Sequence, residues 1–215
     1  MKNRSREFSP KLQKSLGEAI AVIREGGIVA FPTETSYGLA ADPYNKRALE
    51  KLYALKHRDS SKPILILVSA LKQLSSCITR FPVEYDLLVQ KYWPGPLTLI
   101  FPVKENVFPV ELTAGLETIA IRWSSHPVAS ALVEDANIPL TATSANLSGQ
   151  KPALTADECR RLFGNKIDYI VEYEGQCRDS FSTIVGVKEE KLVVLRAGEL
   201  VLDDEIAKFN KKVNV

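Results

Sequence analysis

Residues 26–63 read GGIVAFPTETSYGLAADPYNKRALEKLYALKHRDSSKP. Ile28 to Phe31 is an apolar run between Gly26-Gly27 and Pro32, the punctuation of a short buried strand. Thr33-Glu34-Thr35-Ser36-Tyr37-Gly38 then forms a polar, hydroxyl-rich loop, better suited to a small ligand than to a core. A helix follows, starting at Asn45 or Asp42, with Ala48, Leu49, Leu52, Tyr53 and Leu55 at roughly helical spacing. It ends in cations: Lys56, His57 and Arg58, with Lys62 just before Pro63. Taken singly, each feature has a plain explanation. Basic residues in a last turn complement the helix dipole, and a Thr/Ser-rich loop after a strand is often only a turn. Together, a hydroxyl loop at one strand end and a cation cluster before the next strand could converge on an anionic substrate.

Outward from this stretch, the flanks read as a mixture of strands and helices. Residues 1–9 are polar and basic, a frayed start, and Pro10 to Glu25 is an amphipathic helix with Leu12, Leu16, Ala19, Ile20 and Ile23 on one face. Ile64 to Val68 is a continuous apolar run, a buried strand. Helices are expected from Ser69 or Ala70 to about Ser76 and from Val83 to Tyr92, the latter stopped by Pro94-Gly95-Pro96. Strands are expected at Leu97 to Val103 and Thr118 to Trp123, a helix at Pro127 to Asp135, and a short strand at Leu140 to Thr143. Thr155 and Glu158 have capping-box spacing for a helix to Phe163. Ile167 to Val171, Ser182 to Val187 and Leu192 to Arg196 read as strands, and Asp203 to Lys211 as a terminal helix. Without strict alternation of strand and helix, these elements predict one α/β domain with a mixed, twisted sheet. The expected organisation is a basic N-terminus over 1–9, the domain over 10–202 and a C-terminal helix or tail over 203–215.

Composition bounds the function. A chain of 215 residues with 45% hydrophobic and 25% charged residues is an ordinary globular protein of one-domain size. A formal net charge of +2 does not announce a nucleic-acid binder, so local patches must carry any such claim. Cys77, Cys159 and Cys177 are odd in number and widely spaced, with no metal or disulfide pattern, which fits the reducing cytoplasm. No run approaches a membrane span, and the basic start lacks the apolar core of a signal peptide.

Three groups of residues are candidates for chemistry. Lys56, Arg58 and Lys62 combine point charges with a planar fork for phosphate or carboxylate. Ser144 and Asn146, spaced by two at a strand end, can face one ligand, or form an ordinary Asn-Ser-Gly turn. Ser182-Thr183 with Arg196-Ala197-Gly198 is weak alone, and Arg122 is a surface residue unless buried, when it needs an anion. The chain has no Gly-x-x-x-x-Gly-Lys-Ser/Thr loop, no Gly-x-Gly-x-x-Gly and no Gly-x-Ser-x-Gly elbow. Triphosphate chemistry would therefore need a non-P-loop cradle of Arg and Lys, with Mg²⁺ held largely by the phosphates.

Gly26-Gly27 with PTET-x-YGL, Lys56-x-Arg58 with Pro63, WPGPLT at Trp93 to Thr98, IAIR at Ile119 to Arg122 with His126-Pro127, TSANLSG at Thr143 to Gly149, STIV at Ser182 to Val185 and Arg196-x-Gly198 occur in this order. In this set the chain resembles the YrdC-type L-threonylcarbamoyladenylate synthases over nearly all of residues 10 to 200. The resemblance implies a YrdC/RibB-like twisted mixed sheet flanked by helices around a concave basic site. It implies a nucleotidyltransferase that takes L-threonine, bicarbonate and ATP with Mg²⁺ to threonylcarbamoyl-AMP and pyrophosphate. Partner proteins would then modify the adenosine beside the tRNA anticodon. Lys56, Arg58, Ser144 and Asn146 correspond to the family's signature tetrad. Arg58, Lys62, Ser144, Asn146 and Arg196 are implied to meet the nucleotide, and Thr35, Arg122 and Ser182 the threonine.

The chain departs from the family pattern at Leu67, where histidine is common, at Asp59 and Ala197, where proline is, and at Gly186, where aspartate is. It ends too soon for the second domain of longer members, and so is expected in the short form. A different class is a double-stranded RNA-binding or ribosome-maturation module that uses the same basic face. Carbamoyl transfer, as in hydrogenase maturation proteins, is a third reading, opposed by the lack of zinc-finger-like Cys motifs.

Overall fold

The computed structural model describes residues 8–212. The helices are α1 (Pro10–Arg24), α2 (Lys46–Lys56), α3 (Leu71–Cys77), α4 (Asp86–Tyr92), α5 (Val110–Thr113), α6 (Pro127–Ala136), α7 (Ala156–Phe163) and α8 (Asp203–Lys212). The strands are β1 (Val29–Pro32), β2 (Tyr37–Ala40), β3 (Ile66–Leu67), β4 (Leu97–Pro102), β5 (Thr118–Arg122), β6 (Leu140–Thr141), β7 (Thr143–Ser144), β8 (Tyr169–Ile170), β9 (Thr183–Lys188) and β10 (Lys191–Arg196). Most of the expected frayed start, residues 1–7, lies outside the described residues.

The mixed α/β reading holds, but the strands divide between two sheets. One has the order β7-β2-β1-β8 and the other β10-β9-β4-β5-β3-β6. The chain passes between them at Leu140 to Ser144. Thr141 Oγ1 accepts the amide of Ala41 at 2.7 Å and donates to Leu39 O at 3.1 Å, and the Ala142 amide donates to Leu65 O at 3.0 Å. A stretch expected to be one strand therefore pairs with β3 on one side of Ala142 and with β2 on the other.

β2 was expected to be loop through Gly38. It instead pairs antiparallel with β1, so the turn is only Thr33 to Ser36. All of Tyr37–Ala40 is buried, which removes the polar alternation that would have marked a strand. Gly38 faces Phe31 across the ladder, and a Cβ there would come within 3.1 Å of the Phe31 ring. Along β1, Ala30 packs into one apolar cluster with Tyr37, Leu39 and Leu49, while Val29 and Phe31 pack into a second with Leu16, Leu67 and Leu132. The four-stranded sheet thus carries core on both faces.

Helix boundaries follow their caps. Asn45, not Asp42, starts α2, its side chain accepting the Ala48 amide at 3.2 Å. Thr155 caps α7 through the Glu158 amide at 3.2 Å, while the Glu158 carboxylate takes the amide of Leu154 at 2.6 Å, one residue earlier than a capping box requires. β3 is shorter than the Ile64-to-Val68 run: the amide of Ile64 donates outside its ladder, to Leu112 O at 2.9 Å, and the ladder to β5 ends with the Val68 amide on Arg122 O at 3.0 Å. The single turn α5 has no expectation behind it, being too short to show a period. The terminal helix reaches Lys212, one residue beyond expectation, and Asn210 ties it to Leu192 on β10.

Candidate active site

The hairpin turn Thr33 to Ser36, the loop after α2, β7 and the β9–β10 pair enclose a cleft of about 310 Å³. Thr35, Arg58, Arg122, Ser144, Ser182 and Arg196, expected from the sequence, all line it. No acidic side chain is among its lining residues, so three guanidiniums and a set of hydroxyls face the same space. That charge pattern suits an anion with several oxygens.

Each cation is held from behind. Arg58 Nη2 donates to Pro63 O at 2.9 Å and Nε to Lys62 O at 3.2 Å, which fixes it against the loop after α2. That loop can turn because His57 takes a left-handed conformation, φ 49°, as the C-cap of α2. Arg196 Nη2 donates to Ser182 O at 2.7 Å and Ser182 Oγ at 3.0 Å, and its guanidinium lies over the Phe181 ring at 5.5 Å. Burial, then the like charge of Arg122, lowers the Arg196 pKa. Gly198 makes this geometry possible, since a Cβ there would lie 2.4 Å from Phe181 O and 2.5 Å from Thr183 N. Ser182 is also joined to Thr98 on β4, with hydroxyl oxygens 2.7 Å apart.

Lys56 and Asn146 are brought to the site but not to its surface. Lys56 is buried under the β7 wall. It donates to Asn146 O at 2.8 Å, to Asn146 Oδ1 at 3.1 Å and, in a short contact, to Ser144 O. Ser144 Oγ donates to the same Oδ1 at 2.6 Å, and Asn146 Nδ2 reaches Gln150 O at 2.8 Å. Burial, then the Arg58 charge, pushes the Lys56 ammonium down to about 7. Lys62 stands apart: its side chain is exposed and outside the lining, while its carbonyl serves Arg58 and the Tyr53 hydroxyl.

Arg122 ends β5 and is buried, which for an arginine requires a partner. Its Nη1 donates to Thr35 Oγ1 at 3.1 Å and lies 3.3 Å from Glu34 Oε1. Glu34, Ser124 and Thr98 were not singled out from the sequence. Glu34 lay inside the quoted loop, and a carboxylate beside an expected ligand loop was the available signal. His126 caps α6, its Nδ1 accepting the Val128 amide at 3.3 Å, and burial lowers its pKa.

The departures from the family pattern have physical positions. Leu67 is buried in the second apolar cluster and does not line the cleft. Asp59 is exposed and turned to the Ser61 amide at 2.9 Å, a contact that holds its carboxyl low. A Cβ on Gly186 would meet Leu195 Cδ1 at 3.0 Å, so a larger residue there presses on a lining side chain. Ala197 lies exposed between Arg196 and Gly198.

The class defined by this fold and cleft is settled by comparison. The Sua5/YciO/YrdC family model, described as "Telomere recombination", matches residues 21–198, and the chain belongs to that family. It is 37% identical over 187 residues to "Threonylcarbamoyl-AMP synthase" of Pyrococcus abyssi, covering 86% of this chain and 54% of that protein. It is 36% identical over 173 residues to the protein of the same name from Thiobacillus denitrificans, covering 80% and 91%. The crystal structure of P. abyssi Sua5 complexed with L-threonine superposes with a TM-score of 0.86 at 36% identity, over 94% of this chain and 58% of that one. The chain thus spans about half the length of the first two curated relatives it matches.

Proposed function

We propose that this chain is an L-threonylcarbamoyladenylate synthase, with residues 10–202 as its catalytic unit. The observation that carries the reading is the cleft itself. Three arginines converge with Thr35, Ser144 and Ser182 and with no lining carboxylate, in a family whose relatives bear that name. In the reaction, the threonine amine and bicarbonate form a carbamate with loss of water. A carbamate oxygen attacks the α-phosphorus of ATP, and the bond to pyrophosphate breaks. The carbamate is already anionic, so this step requires fixed positive charge more than a strong base.

Arg58, Ser144 and Arg196 are assigned to the nucleotide. Thr35, Arg122 and Ser182 are assigned to threonine, with Arg122 as the carboxylate partner. Lys56 and Asn146 hold the Ser144 wall, and Lys62 contributes charge near the mouth. Among the described residues, no group of three His, Cys, Asp or Glu side chains is placed to hold a metal. The cation would arrive with the ATP phosphates, and no step is assigned to a protein-bound ion.

No helix among the described residues is long and apolar enough to cross a membrane. Free, buried Cys77, Cys159 and Cys177 agree with a reducing cytoplasm, where tRNA-modification partners would receive the product. The RNA-binding alternative is not favoured, because the named relatives are synthases and a structural neighbour was crystallised with L-threonine. The test is pyrophosphate release with L-threonine, bicarbonate and ATP, each omitted in turn. Dependence on all three supports the synthase. No release from folded protein that retains double-stranded RNA would favour the binding module.

A further inference from the structure

We propose that Glu34 is a positioning residue that presents Arg122 to the carboxylate of the substrate amino acid. The inference rests on the threonine reading above. Glu34 sits in the β1–β2 turn beside Thr35, and its side chain is 11% exposed against 4% for Arg122. One carboxylate oxygen lies 3.3 Å from Arg122 Nη1, and the other accepts the hydroxyl of Ser124 in a short contact. Ser124 is itself held. Its Oγ accepts the His126 amide at 3.2 Å, and its carbonyl accepts Ser130 Oγ at 2.8 Å. Residues from the hairpin, from the segment after β5 and from the first turn of α6 therefore fix one carboxylate.

The division of labour is visible in what faces the cleft. Arg122 and Thr35 line it, whereas Glu34 and Ser124 do not, so Glu34 acts through Arg122 rather than on substrate. Nη1 donates to Thr35 Oγ1 and stands in ion-pair contact with Glu34 Oε1, which itself has no hydrogen-bond partner. Nε is buried and has no hydrogen-bond partner. A buried donor without an acceptor is costly, and a guanidinium binds a carboxylate best through two parallel N–H groups. A substrate carboxylate on the Nε edge would satisfy that donor, while Glu34 keeps the other edge from turning toward it. Glu34 also neutralises the buried charge before substrate arrives.

The experiment is calorimetric titration of the full chain with L-threonine, L-threoninamide and ATP. The variants are Glu34→Gln, Glu34→Asp and Ser124→Ala. Glu34→Gln is expected to weaken L-threonine by about tenfold and to shrink the preference for threonine over threoninamide by the same factor, with ATP affinity unchanged. Glu34→Asp should restore part of that preference, and Ser124→Ala should lose part of it. Should Glu34→Gln not fold, the Ser124→Ala comparison decides alone. Full preference retained in the variants, or equal losses for ATP and threonine, overturns the role of Glu34. Wild-type protein that binds no L-threonine overturns the synthase reading and this inference with it.

Discussion

The ammonium of Lys56 lies 2.8 Å from the carbonyl oxygen of Asn146 and 3.1 Å from that residue's side-chain oxygen, beneath the wall that carries Ser144. Read from the sequence as a cleft cation, Lys56 points into the Ser144–Asn146 turn. Lys56→Met leaves the Asn146 carbonyl without its donor, at a cost of ~1–3 kcal/mol, whereas Asn146 Oδ1 keeps Ser144 Oγ and Ser144 O keeps the Asn146 amide. Urea denaturation should show that loss. Pyrophosphate release should also fall, because Ser144 loses its support, while ATP still binds.

The same burial makes stability depend on pH. Lys56 titrates near 7 in the folded chain against an ordinary 10.5, so the unfolded chain binds more protons above pH 7. Stability therefore rises with pH from there, by at most ~1.4 kcal/mol per pH unit. The rise should be clean only to about pH 8.5, where thiols begin to titrate. Cys159 and Cys177 have pKa values raised by burial and oppose the trend beyond that point. Denaturation midpoints at pH 7.0 and 8.5 should differ in wild type and converge in Lys56→Met.

Gly198 tests the coupling of backbone to charge. An alanine Cβ would lie 2.5 Å from the carbonyl carbon of Ser182, a contact that only backbone movement relieves. Gly198→Ala should cost ~1–3 kcal/mol of stability. It should also weaken both ATP and L-threonine, because the clash separates Arg196, assigned to the nucleotide, from Ser182, assigned to threonine. Thermal melts and paired titrations check both parts.

Arg58 and Lys62 should separate. Arg58 lines the cleft and is fixed on Pro63 O, so Arg58→Ala is expected to reduce kcat/KM by about 10²–10³. Lys62 has an exposed side chain, so Lys62→Ala should change the KM for ATP only a fewfold, and less at high salt. Steady-state kinetics at two ionic strengths distinguish them.

Much of this was legible in the chain. Caps at Asn45 and Thr155, and the apolar face of α1, follow from local chemistry, and their helices form where that chemistry places them. The six lining residues expected from the motifs do converge. What sequence could not show is long-range. Whether Leu140 to Ser144 serves one sheet or two depends on Thr141 meeting Ala41, 100 positions away. The direction of Lys56, down into the Ser144–Asn146 turn, depends on contacts spanning 90 positions. Glu34 carries no local signal because its partners, Arg122 at the end of β5 and Ser124 just after it, lie some 90 positions away. Leu67 shows the converse: the departure at that position is absorbed by an apolar cluster that periodicity does not reveal.

The most direct measurement is mass spectrometry of the product made from ATP, L-threonine and ¹³C-bicarbonate. The account predicts threonylcarbamoyl-AMP carrying one labelled carbon, formed together with pyrophosphate and absent with Arg58→Ala. An unlabelled threonyl-AMP, or ADP in place of pyrophosphate, would contradict it.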